Sequence, residues 1–461
     1  MLSVRTVRRI CAAVDALAIT VIVAGISKSV KKRDFANYAH SANHHPENFP
    51  TIASCRAALL KKGKIHQPKP ESNNNTGPQD NTNEPAIIKI KKEKDPDKLF
   101  SLFQSNACNQ IVVENRVIFE DTVSRLAGAR RSDLIEQILE HQKCLPQGRR
   151  EGFVIRIITL YGRARMPDHA IKTFQEMHLF GCKRTVKSFN ATLKVLAQVG
   201  RFHELRQLFD EAPEIYGIQL DEISYNTLIK VLGEMGSLES AYRAMIEMGK
   251  SGVEPDVVTY TTLIAAFYKK GLRKIGDGIW NLMRLRGCEP TLATYNVRIQ
   301  FLINRCRTFE ANSLVRTMYK SGIKPDEVTY NLIIKGFFMM GEAEMANIVF
   351  YSMSRRGCQP NQKIYQTMVH YLCEERDFGL AFRFCQRSME KNWFLDVNTI
   401  KKLLKGLTDV SKDRNASEIM RLVVGRIPQY SSDEIMSFQE IISHGRKLKE
   451  TENGSNFFRS G

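Results

Sequence analysis

The chain has 461 residues, 43% of them apolar and 25% charged, which excludes a wholly disordered polymer and leaves room for several domains or one elongated array. A formal charge of +19 calls for an anionic partner, nucleic acid ahead of an acidic membrane surface. Ten cysteines without a C-x-x-C pair argue against a disulfide framework or a zinc ribbon and suit a reducing compartment.

The chain opens MLSVRTVRRICAAV. On a helix, Val7, Ile10, Cys11 and Val14 share one stripe, Arg5, Arg8 and Arg9 share the opposite one, and no acid precedes Asp15. A basic amphipathic start of this kind predicts an organellar presequence over residues 1–35, mitochondrial first and plastid as the alternative. Ala16 to Ile26 is an apolar run of secretory-signal length, so secretion is the rival; the run is too short to span a bilayer. Residues 36–85 read as linker, polar and proline-bearing with no apolar period. His40, His44 and His45 fall in that poorly organised region and read as solvated side chains, not metal ligands. Residues 86–115, with DPDKLFSLFQSNACNQIVVEN, read as a helical cap.

From residue 116 the chain repeats. Pro255, Pro290, Pro325 and Pro360 are 35 residues apart, and so are Tyr225, Tyr260, Tyr295, Tyr330 and Tyr365. Glycines keep step at Gly252, Gly287, Gly322 and Gly357. The register gives repeats at 116–150, 151–185, 186–221 (one residue longer), 222–256, 257–291, 292–326, 327–361 and 362–396, with a degenerate ninth to about 431 and a tail over 432–461.

Each unit reads as two helices. In 222–256, Tyr225, Leu228, Ile229 and Leu232 make the first apolar stripe, and Leu238, Ala241, Met245 and Met248 the second. Gly236 breaks between them, and Gly252 with Pro255 ends the second. Ala241 has counterparts in Ala170, Ala311, Ala346 and Ala381, small residues that let helices approach. One hairpin cannot bury its apolar face alone, so the expected fold is all-α: a right-handed α-solenoid of stacked antiparallel helix pairs. Cys182, Cys288 and Cys358 recur after glycine and read as small apolar residues.

The run Y-N-T-L-I, G, A, F-x-x-M, G-x-x-P-D over residues 86–431 resembles the pentatricopeptide repeat of plant organellar proteins, in its P subclass. In such repeats one base is read by two or three side chains. The resemblance implies that the fifth and last residues of each repeat form the reading pairs. Asn190 with Asp221, Asn226 with Asp256, and Asn296 with Asp326 would then favour uridine, and Asn331 with Asn361 a pyrimidine, cytidine foremost. Thr261 with Thr291 and Gln366 with Asp396 match the pattern poorly. Ile223, Val258 and Val328, second in their repeats, would pack on base faces, and Lys269 would meet phosphate. Glu120 and Ile155 stand where the others carry Asn, so the first two repeats lack the reader. The competing interpretation makes the terminal Asp residues helix caps that read nothing.

No constellation for catalysis stands out. H-x-E with C-x-x-C, which deaminase-like extensions need, is missing. His370 and Cys373 form a half-site without a second pair, and Gly63-Lys64 lacks a phosphate-cradling loop. The expected protein is a mitochondrial binder of single-stranded RNA without cofactor, metal, membrane span or small-molecule substrate. The alternative is a scaffold associated with the mitochondrial ribosome.

Overall fold

A period folds into a helix pair because each end carries its own stop and start. In the repeat at 222, Asp221 accepts from the Ser224 amide and starts a helix over Glu222–Met235. Gly236 ends it at φ 83°, a left-handed conformation that suits glycine, and Leu238–Lys250 follows. Tyr225, Leu228, Ile229 and Leu232 on the first helix are buried, as are Leu238, Ala241, Met245 and Met248 on the second. Removing each such large aliphatic side chain from water contributes about 1.5–3 kcal/mol. A computed structural model describes residues 86–425 and 430–457, and every regular element among them is helical. The presequence and linker expected over 1–85 lie outside the described residues.

The chain divides into two compact units, Met1–Thr262 and Leu263–Gly461. In the first, the leading helices Arg116–Gly128, Glu151–Arg163, Val186–Val199 and Glu222–Met235 pack side by side in chain order. Ahead of them, among the described residues, come three short helices, Ala86–Lys92, Pro96–Ser105 and Gln110–Glu114. Arg125 donates to the carbonyls of Ile90 (2.7 Å) and Glu93 (2.6 Å), satisfying the open end of the first of these. In the second unit Leu292–Ile303, Glu327–Met339, Gln362–Glu374 and Val397–Asp409 pack in order.

Aromatic pairs join several second helices to the repeat that follows. Phe209 meets Tyr225 at 5.3 Å, Trp280 meets Tyr295 at 5.1 Å and Phe350 meets Tyr365 at 5.5 Å, all edge to face. Such pairs add about 0.5–1.5 kcal/mol beyond their buried area. Ala170, Ala241, Ala311, Ala346 and Ala381 have no exposed surface, in keeping with close helix approach. Cys182 and Cys358 are buried, and burial pushes both thiols up; Cys288 is half-buried.

Two local features differ from the sequence expectation. The stretch read as a tail is helical over Ser432–Phe457, packed on Val397–Asp409 with Phe438 fully buried. Tyr430 anchors its start by donating to the Leu395 carbonyl at 2.6 Å. The turns between paired helices also use a left-handed residue that is not always glycine. Gly200, Gly236, Gly271 and Gly341 alternate in that place with Arg130, Arg165, Cys306, Arg376 and Ser411. Among the described residues no helix is long and apolar enough to cross a membrane.

Candidate nucleic-acid interface

The last residue of a repeat is the N-cap of the next leading helix, and the fifth residue lies one turn into the preceding one. That geometry brings the two together although 30 or 31 positions separate them in sequence. Asn190 Nδ2 donates to both carboxylate oxygens of Asp221, at 2.9 and 3.1 Å. Asn226 Nδ2 donates to Asp256 Oδ1 at 3.3 Å, and Asn296 Nδ2 to Asp326 Oδ1 at 3.5 Å. Gln366 Nε2 bonds the Asp396 carboxylate, and Gln366 Oε1 accepts from the Asp396 amide at 2.9 Å. So the pair that matched the reading pattern poorly is also joined.

The same carboxylates cap. The amides of Ser224, Thr259, Thr329 and Thr399 donate to Asp221, Asp256, Asp326 and Asp396 at 2.8–2.9 Å. Capping and pairing are therefore performed by one side chain, and the two interpretations of the terminal Asp are not exclusive. Burial pushes the Asp256 carboxyl up, but bonds from the Thr259 amide and hydroxyl, from Asn226 and from the Val258 amide outweigh it and hold the group below its ordinary value.

A third participant escaped the sequence reading. The residue three places into the next repeat carries a buried hydroxyl: Ser224, Thr259, Thr329 and Thr399. Ser224 donates to Asn190 Oδ1, Thr259 to Asn226 Oδ1 and Thr329 to Asn296 Oδ1, each at 2.7 Å. The signal was present in the 35-residue register, since Ser188, Ser224, Thr259, Thr294, Thr329 and Thr399 all occupy it.

Asn331 departs from this arrangement. Its terminal partner is Asn361, whose side chain accepts from the Ile364 amide at 3.1 Å, and the third residue is Ile364 instead of a hydroxyl. Asn331 Oδ1 is buried with no hydrogen-bond partner. Thr261 lies on Val257–Lys269 in the first unit, and Thr291 caps Leu292–Ile303 in the second.

The second residues Ile223, Val258 and Val328 are 57%, 55% and 55% exposed, an unusual and even exposure for aliphatic side chains on packed helices. Ile223 and Val258 flank an open hollow also lined by Asn226, Lys230, Asp256 and Thr262. A similar hollow involves Gln366, Lys363 and Asp396. Lys194, Lys230 and Lys335 stand one turn beyond Asn190, Asn226 and Asn331, and Lys269 is exposed at the end of its helix. The groups offered by the repeat at 222 are thus an apolar face, an amide with donor and acceptor ends, a carboxylate and a nearby ammonium. A flat heterocycle with hydrogen-bonding edges and an anionic linker uses all four.

The first two repeats differ as their sequence suggested. Glu120 is paired with Arg116 and Arg163, each at 2.8 Å, so its carboxylate is neutralised by the protein itself. Ile155 offers no edge group, and the Thr185 hydroxyl donates to Glu151 at 2.6 Å. Among the described residues no three His, Cys, Asp or Glu side chains gather as a metal site would require.

The PPR repeat family model, that of the pentatricopeptide repeat, matches residues 220–269, 255–304, 290–339 and 325–369, and the PPR repeat model matches 156–182. A pentatricopeptide repeat-containing protein of Arabidopsis thaliana, named as mitochondrial, is 57% identical over 170 residues, 37% of this chain and 43% of its own length. The Arabidopsis thaliana small ribosomal subunit protein mS78 is 38% identical over 164 residues, 36% of this chain and 41% of its own. The chain thus spans about two fifths of the length of these curated relatives. The solved maize pentatricopeptide repeat protein PPR10 aligns over 78% of this chain and 59% of its own, with TM-score 0.44 and 16% identity.

Proposed function

The chain is a pentatricopeptide repeat protein, and from that premise we propose that it binds single-stranded RNA in the mitochondrion, one nucleotide per repeat, and acts in the processing, stability or translation of organellar transcripts. The observation that carries the reading is the hollow between Ile223 and Val258, with Asn226 and Asp256 within it and Lys230 beside it. A base stacked between two aliphatic side chains would present its edge to the amide, and its phosphate would fall near a lysine. Residues Asn190 with Asp221, Asn226 with Asp256, and Asn296 with Asp326 are the uridine-preferring pairs, and Asn331 with Asn361 the pyrimidine pair. The mitochondrial compartment is supported by the relative at 57% identity that bears that name. The reading includes no catalytic step, cofactor or small-molecule substrate.

Crosslinking in mitochondria followed by sequencing of the bound RNA tests it. One dominant messenger or intron site is expected, and recovery of no RNA would overturn the reading. A second reading, a scaffold on the mitochondrial ribosome, is favoured by the likeness to a small ribosomal subunit protein and by the two leading repeats without readers. Crosslinks confined to ribosomal RNA would select it.

A further inference from the structure

Each second helix has one side sealed in the stack and one side left to solvent. On Ala343–Arg355, the side bearing Ala346, Val349, Phe350 and Met353 is buried, and the helix packs on the leading helix Glu327–Met339. Glu344, Ile348, Tyr351 and Arg355 recur at i, i+4, i+7 and i+11 on the opposite side, and all four are exposed. On Thr308–Lys320 the same register positions hold Phe309, Ser313, Arg316 and Lys320, exposed as well. This outward side is the back of each hairpin, away from the leading helices that carry Asn296, Asn331 and Gln366.

The charge on this side differs between the two units. In the second, Arg273–Leu285, Thr308–Lys320, Ala343–Arg355 and Phe378–Glu390 expose seven lysines and arginines against two acids, Glu344 and Glu390. In the first, Ser132–Cys144, Pro167–Glu176, Phe202–Tyr216 and Leu238–Lys250 expose six acids against three bases. Several of those acids are matched at home: Asp133 with Arg131 at 2.9 Å, Asp168 with Arg201 at 3.2 Å and Asp210 with Arg206 at 2.8 Å. Arg316, Lys320, Arg355, Arg383 and Arg387 form no ion pair among the described residues. Neighbouring second helices also lie against one another in the second unit. Arg273 bonds Glu310 at 3.0 Å, Arg356 lies 5.9 Å over the Tyr319 ring and Phe350 meets Phe384 at 4.9 Å. The bases therefore share one face, and their mutual repulsion is relieved when an anion covers it.

We infer that this back face of the second unit docks the phosphate backbone of double-stranded RNA, apart from the reading residues on the leading helices. Five of the seven bases are arginine, whose planar fork fits two phosphate oxygens at once. The bases are spread over four successive helices, as a repeating anion requires. The Asn–Asp pairs lie on the other side of the hairpins, which suits a duplex, recognised mainly through its phosphates and 2′-hydroxyls. Tyr351, 43% exposed, adds a hydroxyl donor among the arginines. A membrane fits less well, since an interfacial helix sinks its apolar side among lipids and here that side is buried in the stack. A second copy fits less well too, because acids of the first unit are already paired within the chain. Docking of this kind is independent of the base reading proposed above and adds a second RNA to it.

The test uses the full chain and a blunt RNA duplex of about 20 base pairs, longer than the roughly 16 that a double-strand-binding module covers. Affinity is measured between about 50 and 200 mM salt, alone and with a single-stranded RNA selected from a random pool present in excess. Wild type should bind the duplex in both conditions. The triple variant Arg316→Gln, Arg383→Gln, Arg387→Gln should lose about 10-fold or more of duplex affinity, and the slope of log affinity against log salt should fall by about 2–3. Its affinity for the selected single strand should stay within about 2-fold of wild type, since these arginines lie away from the leading helices. Duplex affinity unchanged in the triple variant overturns the proposal, and so does displacement of the duplex by the single strand. If instead the variant lost only binding to vesicles of phosphatidylcholine and cardiolipin, or only self-association in sedimentation, the occupant would be a membrane or a second copy and the proposal would fall. Should the triple variant not fold, Glu344→Gln decides: removing an acid from the same face should tighten duplex binding by about 2-fold, and no gain overturns the proposal. A wild type that bound the duplex through these arginines and bound no single strand would sink the base-reading function and leave this docking surface standing.

Discussion

Asn226 and Asp256 are hydrogen-bonded at 3.3 Å, and the same carboxylate accepts the Thr259 amide at 2.8 Å at the head of the next helix. Recognition chemistry and helix initiation therefore share one side chain. Asp256→Ala removes both. Loss of an N-cap costs about 1 kcal/mol, so the melting temperature should drop while uridine preference at the Asn226 position also weakens. Asp256→Asn keeps the cap and should leave the melting temperature within a degree or two while still altering base preference. Denaturation and single-nucleotide RNA panels on both variants separate the effects. A pure capping role predicts lower stability in Asp256→Ala with preference intact.

Acidification gives a second handle on this carboxyl. Its folded value lies below the ordinary 3.8, so the unfolded chain takes up the proton first as pH falls. Its contribution is fully present above pH 3.8 and is lost as pH falls through the folded value. Wild type should therefore lose more stability than Asp256→Asn below that pH, and the two should run parallel at pH 5–8. Parallel curves throughout would show that the bonds from Thr259 and Asn226 do not favour the charged form.

Lys269 is exposed and reads no base. Lys269→Gln should weaken binding to all RNAs by a similar factor and reduce the slope of log affinity against log salt by about 0.7, as expected for one lost phosphate contact on a single strand. A variant that changed base preference with an unaltered salt slope would place this lysine elsewhere than on the backbone.

Arg376 holds φ 60° at a turn where Gly236 and Gly341 serve other repeats. A left-handed non-glycine costs about 1–2 kcal/mol, part of which glycine returns through the entropy of its unfolded state. Arg376→Gly should stabilise by about 0.5–1 kcal/mol, read as a raised denaturant midpoint with the slope unchanged.

Residues 1–85 should carry a fluorescent protein into mitochondria, given the Arg5, Arg8 and Arg9 face and the absence of acids before Asp15. Retention in the cytosol, or entry into the secretory path, would refute the targeting assignment.

The helix pairs were legible because three constraints share one period: Pro255 and its counterparts, the buried tyrosines, and the glycines that end helices. The partnership of Asn226 with Asp256 was legible only through resemblance to a family, since nothing local links residues 30 positions apart. Thr259 was overlooked for a different reason. A threonine in the first turn of a helix is ordinary, and its value lies in a bond to Asn226 in the preceding repeat. The left-handed Arg376 and its counterparts gave no local sign, because the stack imposes the turn whatever residue occupies it. Helix Ser432–Phe457 was missed because its seat depends on few apolar residues, Phe438 and Ile442 being those buried among the described side chains.

The N-cap position has a bearing on how such a chain can drift. Thr185, Asp221, Asp256, Thr291, Asp326, Asn361 and Asp396 end their repeats, and all belong to the residue types that begin helices well. A substitution that would spell a new base preference with a leucine or a lysine there would forfeit the cap, at a cost of about 1 kcal/mol to the helix behind it. Backbone chemistry thus biases this place towards Asp, Asn, Ser and Thr before any RNA exerts selection, with Arg150, which ends the repeat at 116, the departure from it. Freedom to rewrite lies five residues further on, at the fifth place, where Glu120, Ile155, Thr261 and Gln366 show that almost any spelling leaves the helix standing.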